Sequence, residues 1–259
     1  MTILNETYKL PNDVAVPKLG LGTWFIDDDK AADAVRAAIA MGYRNIDTAQ
    51  AYGNERGVGE GVRTSGVARD ELFVSTKLAA EIKDYDGAIT AIDESLRTLG
   101  LEYIDLMRIH SPQPWDDFRG GDYAEGNREA WRALEDAYRS GKIRSIGVSN
   151  FQQTDLANIL SSCTVAPQVN QLLVHAGITP AELIAFCANN GILVEAYSPI
   201  AHGAILRIRA KNPLLADQIA MRARHAMPRG LVRIDHAERA RHAIGRDDPQ
   251  LGIPPAGFE

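Results

Sequence analysis

The stretch that decides the fold is 42-GYRNIDTAQAYGNE-55. Tyr43 to Ile46 reads as a short strand, and Asn54 to Arg63 as the start of a helix. Between them a turn of small residues separates Asp47 from Tyr52. The same strand-then-helix unit recurs along the chain. From about residue 17 to about residue 226, short apolar runs alternate with amphipathic ones. The candidate strands are "KLGLGTW", "RNIDTA", "LFVSTK", "YIDLMRIH", "IRSIGVSN", "PQVNQLL" and "LVEAYSP". Between them, Val35 and Ile39 with their alanine neighbours form a helical stripe stopped by Gly42. Ile89, Ile92, Leu96 and Leu99 form another, stopped by Gly100. Both have the spacing of a helix face packed on a sheet, with Gly as the C-terminal stop. Thr179 and Glu182 read as a capping box with Pro180 at the first helical position, and Asn212 and Pro213 open a later helix in the same way.

Repeated β/α units argue for a parallel sheet. At 259 residues the simplest arrangement is a (β/α)8 TIM barrel in one α/β domain, 1–259. A doubly wound open sheet is the weaker choice, because "GLGTWFIDDD" lacks G-x-G-x-x-G after the first strand. The composition, 45% hydrophobic and 24% charged, leaves ample apolar surface for a core. No apolar run approaches the ~20 residues of a membrane span, and "MTILNETYKL" is too polar for a signal peptide. Cys163 and Cys187 lack metal-ligand spacing and are expected as reduced thiols. These features predict a cytoplasmic monomer with no membrane partner and no bound metal. A net charge of −6 gives no reason to expect nucleic acid. The charge is uneven: residues 1–206 hold 18 Lys and Arg against 28 Asp and Glu, residues 207–259 hold 10 against 6.

Polar residues gather at the strand ends. Asp47, Lys77 and His110 end the second, third and fourth strands; Ser149 and Asn150 end the fifth. Gln171 lies in the sixth, and Tyr197 and Ser198 end the seventh. Any one of them alone reads as a helix cap or a satisfied core residue. In a barrel, however, all these ends face one mouth, where active sites lie. A phenol with a pKa near 10 yields its proton poorly at pH 7. A nearby ammonium is expected to lower that pKa, and a partly buried ammonium needs a carboxylate. Tyr52, Lys77 and Asp47 supply those three groups, and His110 can donate a hydrogen bond to a substrate oxygen. The set suits protonating a carbonyl oxygen while a hydride reaches its carbon, and the hydride must come from a cofactor.

"GYRNIDTAQAYGNERGVG", "VSTKL", "RIHSP", "SIGVSNF", "VNQ" and "EAYSP", in this order, resemble the aldo-keto reductases. The resemblance runs from about residue 8 to about residue 206 and is nearest to bacterial reductases of 2,5-diketogluconate and methylglyoxal. It implies a (β/α)8 barrel that reduces aldehydes and ketones with NADPH. It further implies Tyr52 as general acid, Lys77 and Asp47 tuning it, and His110 orienting a small carbonyl substrate. Ser149, Asn150 and Gln171 would hold the nicotinamide carboxamide, Tyr197 would stack on the ring, and Ser198 would begin the pyrophosphate loop. Asp47 borders this cofactor site. Trp24 and Trp115 would wall the substrate pocket; ordinary packing is the alternative for both. The loop "SPQPWDDFRGGDYAEGN", 111–127, would be its lid.

The pattern breaks near the end. The family's last strand carries a Pro-Lys-Ser/Thr signature and an Arg that grip the 2′-phosphate and adenine. Here "RGLVRIDHAERARHAIG" stands instead. Arg229 to Ile234 reads as the eighth strand and Ala237 to Ile244 as a helix, with Asp235, His236 and Ala237 where the signature is expected. Arg239 or Arg241 would have to replace the grip, and NADH becomes a possible cofactor. Residues 207–246 contain 9 Arg against 12 in the first 206, which marks 207–259 as a divergent C-terminal segment and the last β/α unit as atypical or incomplete. A poor eighth strand would leave the barrel with an open seam. Two other readings compete. One is a metal-dependent barrel using Asp47, His110 and Glu195; the other is a binding protein that has lost its dinucleotide.

Overall fold

The computed structural model describes residues 3–117, 120–175 and 177–201, together with the backbone of 232–236. A short antiparallel hairpin, β1 (Thr7–Lys9) and β2 (Ala15–Pro17), comes first. Eight parallel strands follow: β3 (Leu19–Gly22), β4 (Asn45–Asp47), β5 (Phe73–Leu78), β6 (Leu106–Ile109), β7 (Ile146–Ser149), β8 (Val169–Leu173), β9 (Leu193–Tyr197) and β10 (Val232–His236). They close into a barrel in the order β10-β3-β4-β5-β6-β7-β8-β9. The helices are α1 (Asp28–Ala40), α2 (Glu55–Arg63), α3 (Tyr85–Leu99), α4 (Ala124–Arg139), α5 (Gln153–Leu160) and α6 (Ala181–Asn189).

Strand alternation divides the core in two. Val74, Met107, Ile109, Ile146, Val148 and Val194 pack with helix residues such as Val35, Ile92, Leu134 and Leu183. The residues one step away, Phe73, Leu106 and Val169, form a separate cluster with Leu10 and Val16 of the hairpin region. The first set lies between barrel and helices. The second fills the barrel's N-terminal end, and the hairpin covers it as a floor. α3 shows the local logic of the helices. The Asp84 carboxylate accepts from the Gly87 N–H at 2.7 Å, and Gly100, at φ 64°, ends the helix in the left-handed region.

Four expectations are corrected. The barrel has no open seam, because Ile234 pairs with both Gly20 and Tyr197. The eighth strand extends past Ile234 to His236, so Asp235 and His236 belong to it, opposite Leu21 and Gly22; residues 229–231 of the expected strand lie outside the described residues. Thr179 and Glu182 form no capping box. Pro180 itself is the N-cap residue, without a side-chain cap bond, because Thr179 folds back and donates to the His175 carbonyl at 3.3 Å. The loop is also shorter than 111–127, since α4 begins at Ala124. The helices expected at Asn212–Pro213 and Ala237–Ile244, with Arg239 and Arg241, lie outside the described residues.

Candidate active site

The turn that opened the sequence is held by two side-chain amides, Gln50 partly buried and Asn54 fully buried. Tyr52 ends a single 3-10 turn, Gln50–Tyr52, and Gly53 at φ 66° lets the chain leave it. Gln50 pins the turn to the next unit, accepting from the Ala79 N–H at 2.8 Å and donating to the Ala91 carbonyl at 2.9 Å. Asn54, fully buried, accepts from Thr48 Oγ1 at 2.7 Å and donates to the carbonyls of Thr23 and Ile26, each at 2.9 Å. The phenol is therefore held from both sides.

Lys77 Nζ donates to Asp47 Oδ2 at 2.7 Å, to the Thr48 carbonyl at 2.9 Å and to Tyr52 OH at 3.3 Å. The rings of Tyr52 and His110 meet edge to face at 5.6 Å, and those of His110 and Trp115 at 5.3 Å. These five sequence-predicted residues are thus brought together. Ser149, Asn150, Gln171 and Tyr197 form a second, continuous group. Asn150 Nδ2 donates to Ser149 Oγ at 3.1 Å and to the His110 carbonyl at 3.0 Å. Ser149 Oγ donates to the Gln171 carbonyl at 3.1 Å, and Tyr197 OH to Asn150 Oδ1 at 3.0 Å. Asn150 and Ser198 are both left-handed, at φ 63° and 51°, a strained backbone typical of functional sites. Trp24 is partly exposed. It stacks on Phe25 at 4.1 Å, and Thr23 before it donates to the Asp47 carbonyl at 3.0 Å.

Sequence reasoning missed the centre of the site. Arg108, fully buried, donates to Asp47 Oδ1, to Glu195 Oε1 and, at 3.0 Å, to Ser75 Oγ. Gln171 Nε2 donates to the same Glu195 oxygen. Gly147 makes the room. A Cβ there would stand 2.6 Å from the Val169 carbonyl and 3.3 Å from Arg108 Cγ. The signal was the period of two: Ser75, Arg108 and Glu195 each precede a mouth residue, Lys77, His110 or Tyr197, by two positions.

Burial dominates the electrostatics. Together with the Arg108 charge, it lowers Lys77 to about 8 against the pull of Asp47. Burial, with Lys77 beside it, lowers His110 to about 3, so the imidazole is neutral; its Nδ1 is buried without a hydrogen-bond partner among the described residues. Tyr52 stands well above its ordinary value, first from burial and then from the Asp47 carboxylate. The expected lowering of the phenol's pKa is therefore corrected: burial and the Asp47 carboxylate leave it raised. Both carboxylates of the metal-binding alternative, Asp47 and Glu195, are likewise bonded to Arg108, which leaves a cation's place taken by a guanidinium.

Barrel and mouth together define an NAD(P)H-dependent oxidoreductase acting on carbonyl compounds. The chain belongs to the Aldo/keto reductase family, whose profile matches residues 18–239. It is 43% identical over 206 residues to a glyoxal reductase of Bacillus subtilis, covering 79% of this chain and 71% of that one. It is 42% identical over 212 residues to a 9,11-endoperoxide prostaglandin H2 reductase of Trypanosoma cruzi, covering 80% and 70%. Among solved structures, a Bombyx mori aldo-keto reductase in complex with NADP superposes with a TM-score of 0.72 at 32% identity, covering 92% of this chain and 85% of that one. With reductases of this kind as relatives, the reading as a binding protein that has lost its dinucleotide is not favoured.

Proposed function

We propose that the chain reduces small aldehydes and ketones to alcohols with NADPH, and that Tyr52 gives the proton to the carbonyl oxygen. The observation that carries this reading is Lys77 Nζ donating at once to Asp47 Oδ2 at 2.7 Å and to Tyr52 OH at 3.3 Å. A phenol held above its ordinary pKa is fully protonated at pH 7 and ready to donate. As it yields the proton, the growing phenolate meets the Lys77 ammonium, which costs no reorganisation. Neutral His110 offers one ring N–H to the substrate oxygen and orients it.

Bound NADPH would supply the hydride. A carboxamide needs both donors and acceptors. Asn150 and Gln171 carry both, and Ser149 Oγ adds a third polar contact, so the donor set suits the nicotinamide. Tyr197 would lie against the ring and Ser198 would begin the pyrophosphate loop. With Asp235 and His236 in place of the family's phosphate grip, discrimination against NADH is expected to be weak. Trp115 and Trp24 would wall a pocket for small carbonyls such as methylglyoxal, apolar with few polar anchors.

Tyr52→Phe tests the assignment. General acid catalysis is worth about 10²–10⁴-fold, so kcat should fall by that factor while NADPH affinity, read by fluorescence titration, stays within about twofold. Near-normal turnover would remove Tyr52 from the role.

A further inference from the structure

Arg108 is a full positive charge placed inside the barrel, below the mouth, with no exposed surface. Burying a guanidinium is costly unless its charge and its hydrogens are matched. Here one fork nitrogen reaches Glu195 on β9, and the other reaches Asp47 on β4 and Ser75 on β5. Each carboxylate has a second bond. Asp47 Oδ2 receives Lys77, and Glu195 Oε1 receives the Gln171 amide. Ser75 Oγ also donates to Asp47 Oδ1 at 3.0 Å. The chain of contacts therefore runs Tyr52–Lys77–Asp47–Arg108–Glu195–Gln171, from the phenol to a cofactor-side amide.

We propose that Arg108 is a positioning residue that clamps Asp47 to Glu195 across the barrel and so couples the state of Lys77 to the seat of Gln171. The proposal rests on the reading of Lys77 and Tyr52 as the proton-donating pair. The clamp has two physical consequences. First, Asp47 keeps a permanent cation when Lys77 loses its proton. Lys77 can then change charge without leaving a bare buried carboxylate, an expensive state. Second, burial raises the Glu195 pKa, and Arg108, which donates to Glu195 Oε1, is the main influence opposing that rise and so favours the ionised form. An ionised carboxylate holds the Gln171 N–H more firmly than a protonated one would. Among the described residues, the charged and titratable groups around Asp47 are Tyr52 from the turn after β4, Lys77 from β5, Arg108 from β6 with His110 just after it, and Glu195 from β9, with Tyr197 acting on Tyr52. Of these, Arg108 is the one that drives Lys77 further down without itself titrating.

The experiment follows the 13Cε resonance of Lys77 from pH 6 to 11, assigned by its loss in Lys77→Met. It is run in the full chain and in Arg108→Met, with NADPH affinity measured by fluorescence on the same samples. Removing Arg108 should raise the Lys77 midpoint by roughly one unit or more, the usual scale for a charge within about 4–6 Å. It should also weaken NADPH at least several-fold, as the Glu195 acceptor of Gln171 loses the guanidinium that holds it. An unmoved midpoint together with unchanged affinity in a folded Arg108→Met would overturn the clamp. Should Arg108→Met not fold, Arg108→Met/Glu195→Gln removes both buried charges of that pair. It should still show the raised Lys77 midpoint, and an unmoved one overturns the proposal. Failure of both variants to fold would assign Arg108 to the fold alone and overturn it as well. None of these readouts needs turnover. An active Tyr52→Phe would therefore sink the proton-donor assignment without touching this result.

Discussion

The two ends of the barrel are built from the same strands and have opposite chemistry. At the floor, Phe73, Leu106 and Val169 pack on Leu10 and Val16. Two and four residues further along β5 and β6 stand Ser75 with Lys77, and Arg108 with His110. One strand thus carries a stability problem at its start and a chemical problem at its end. The floor is apolar and its members are interchangeable in kind. The mouth is charged, and each member has a named partner. Substitutions at the two ends should therefore fail in different ways.

The largest effect is expected at the mouth. Lys77→Met should cost about 10²–10⁴-fold in kcat at pH 7, the range for proton transfer. It should not cost stability there. Lys77 is lowered from 10.5 to about 8 in the folded chain, so its stabilising contribution is full above 10.5 and lost as pH falls to 8. Across that window the wild type should gain on the order of 3 kcal/mol from this group as pH rises. Lys83, also lowered to about 8 by burial, adds a slope of the same sign. Urea titrations at several pH values should show a flatter slope in Lys77→Met than in wild type. An unfolded variant at pH 7 would make Lys77 a fold residue and break the contrast between the ends.

Phe73→Ala should do the reverse. Emptying a buried Phe costs about 3–5 kcal/mol, while kcat and KM of the folded fraction should stay near wild type. A fall in kcat with the fold intact would mean that the floor shapes the mouth. The next effect is a pH dependence. The rate kcat/KM should fall about tenfold per unit above pH 8, as Lys77 loses the proton that stabilises the phenolate. No inflection should appear near 6.5, because His110 remains neutral down to about 3. A limb at the ordinary imidazole value would show that His110 titrates during turnover. The smallest effect concerns Trp115, which meets His110 edge to face. Such a pair is worth about 0.5–1.5 kcal/mol. Trp115→Ala should raise KM roughly two- to tenfold for bulky aromatic aldehydes, and less for methylglyoxal. Equal changes would shift selectivity from the Trp to its loop.

The contrast also explains what the sequence made legible. Strands β3 to β9 were readable because each is a short apolar run between amphipathic ones, and most are closed by a polar residue, as in "RNIDTA" and "LFVSTK". Asp47, Lys77 and His110 stood out because a charge ending an apolar run is conspicuous. Arg108 did not, because it sits inside "YIDLMRIH", where a mid-strand arginine reads as surface. Its inward side becomes evident only when it is counted back two positions from His110. The hairpin escaped because "TYK" and "AVP" are three residues each, too short for a period to register. The rise of the Tyr52 pKa was out of reach for a different reason. Which of burial, Asp47 or Lys77 wins depends on depth and distance, and a linear sequence carries neither.

The hairpin floor has one more consequence. Among the described residues the hairpin plugs the base of the barrel, which leaves the mouth as the way for water and hydronium to meet the buried charges. If Tyr52 spends its proton on each turnover, the replacement arrives by the same doorway the alcohol product must leave. A product that lingers there delays its own successor twice, by occupying the seat and by keeping the donor discharged. Slow-leaving alcohols should thus inhibit more than their affinity implies, and opening a hole in the base would give the proton a back entrance.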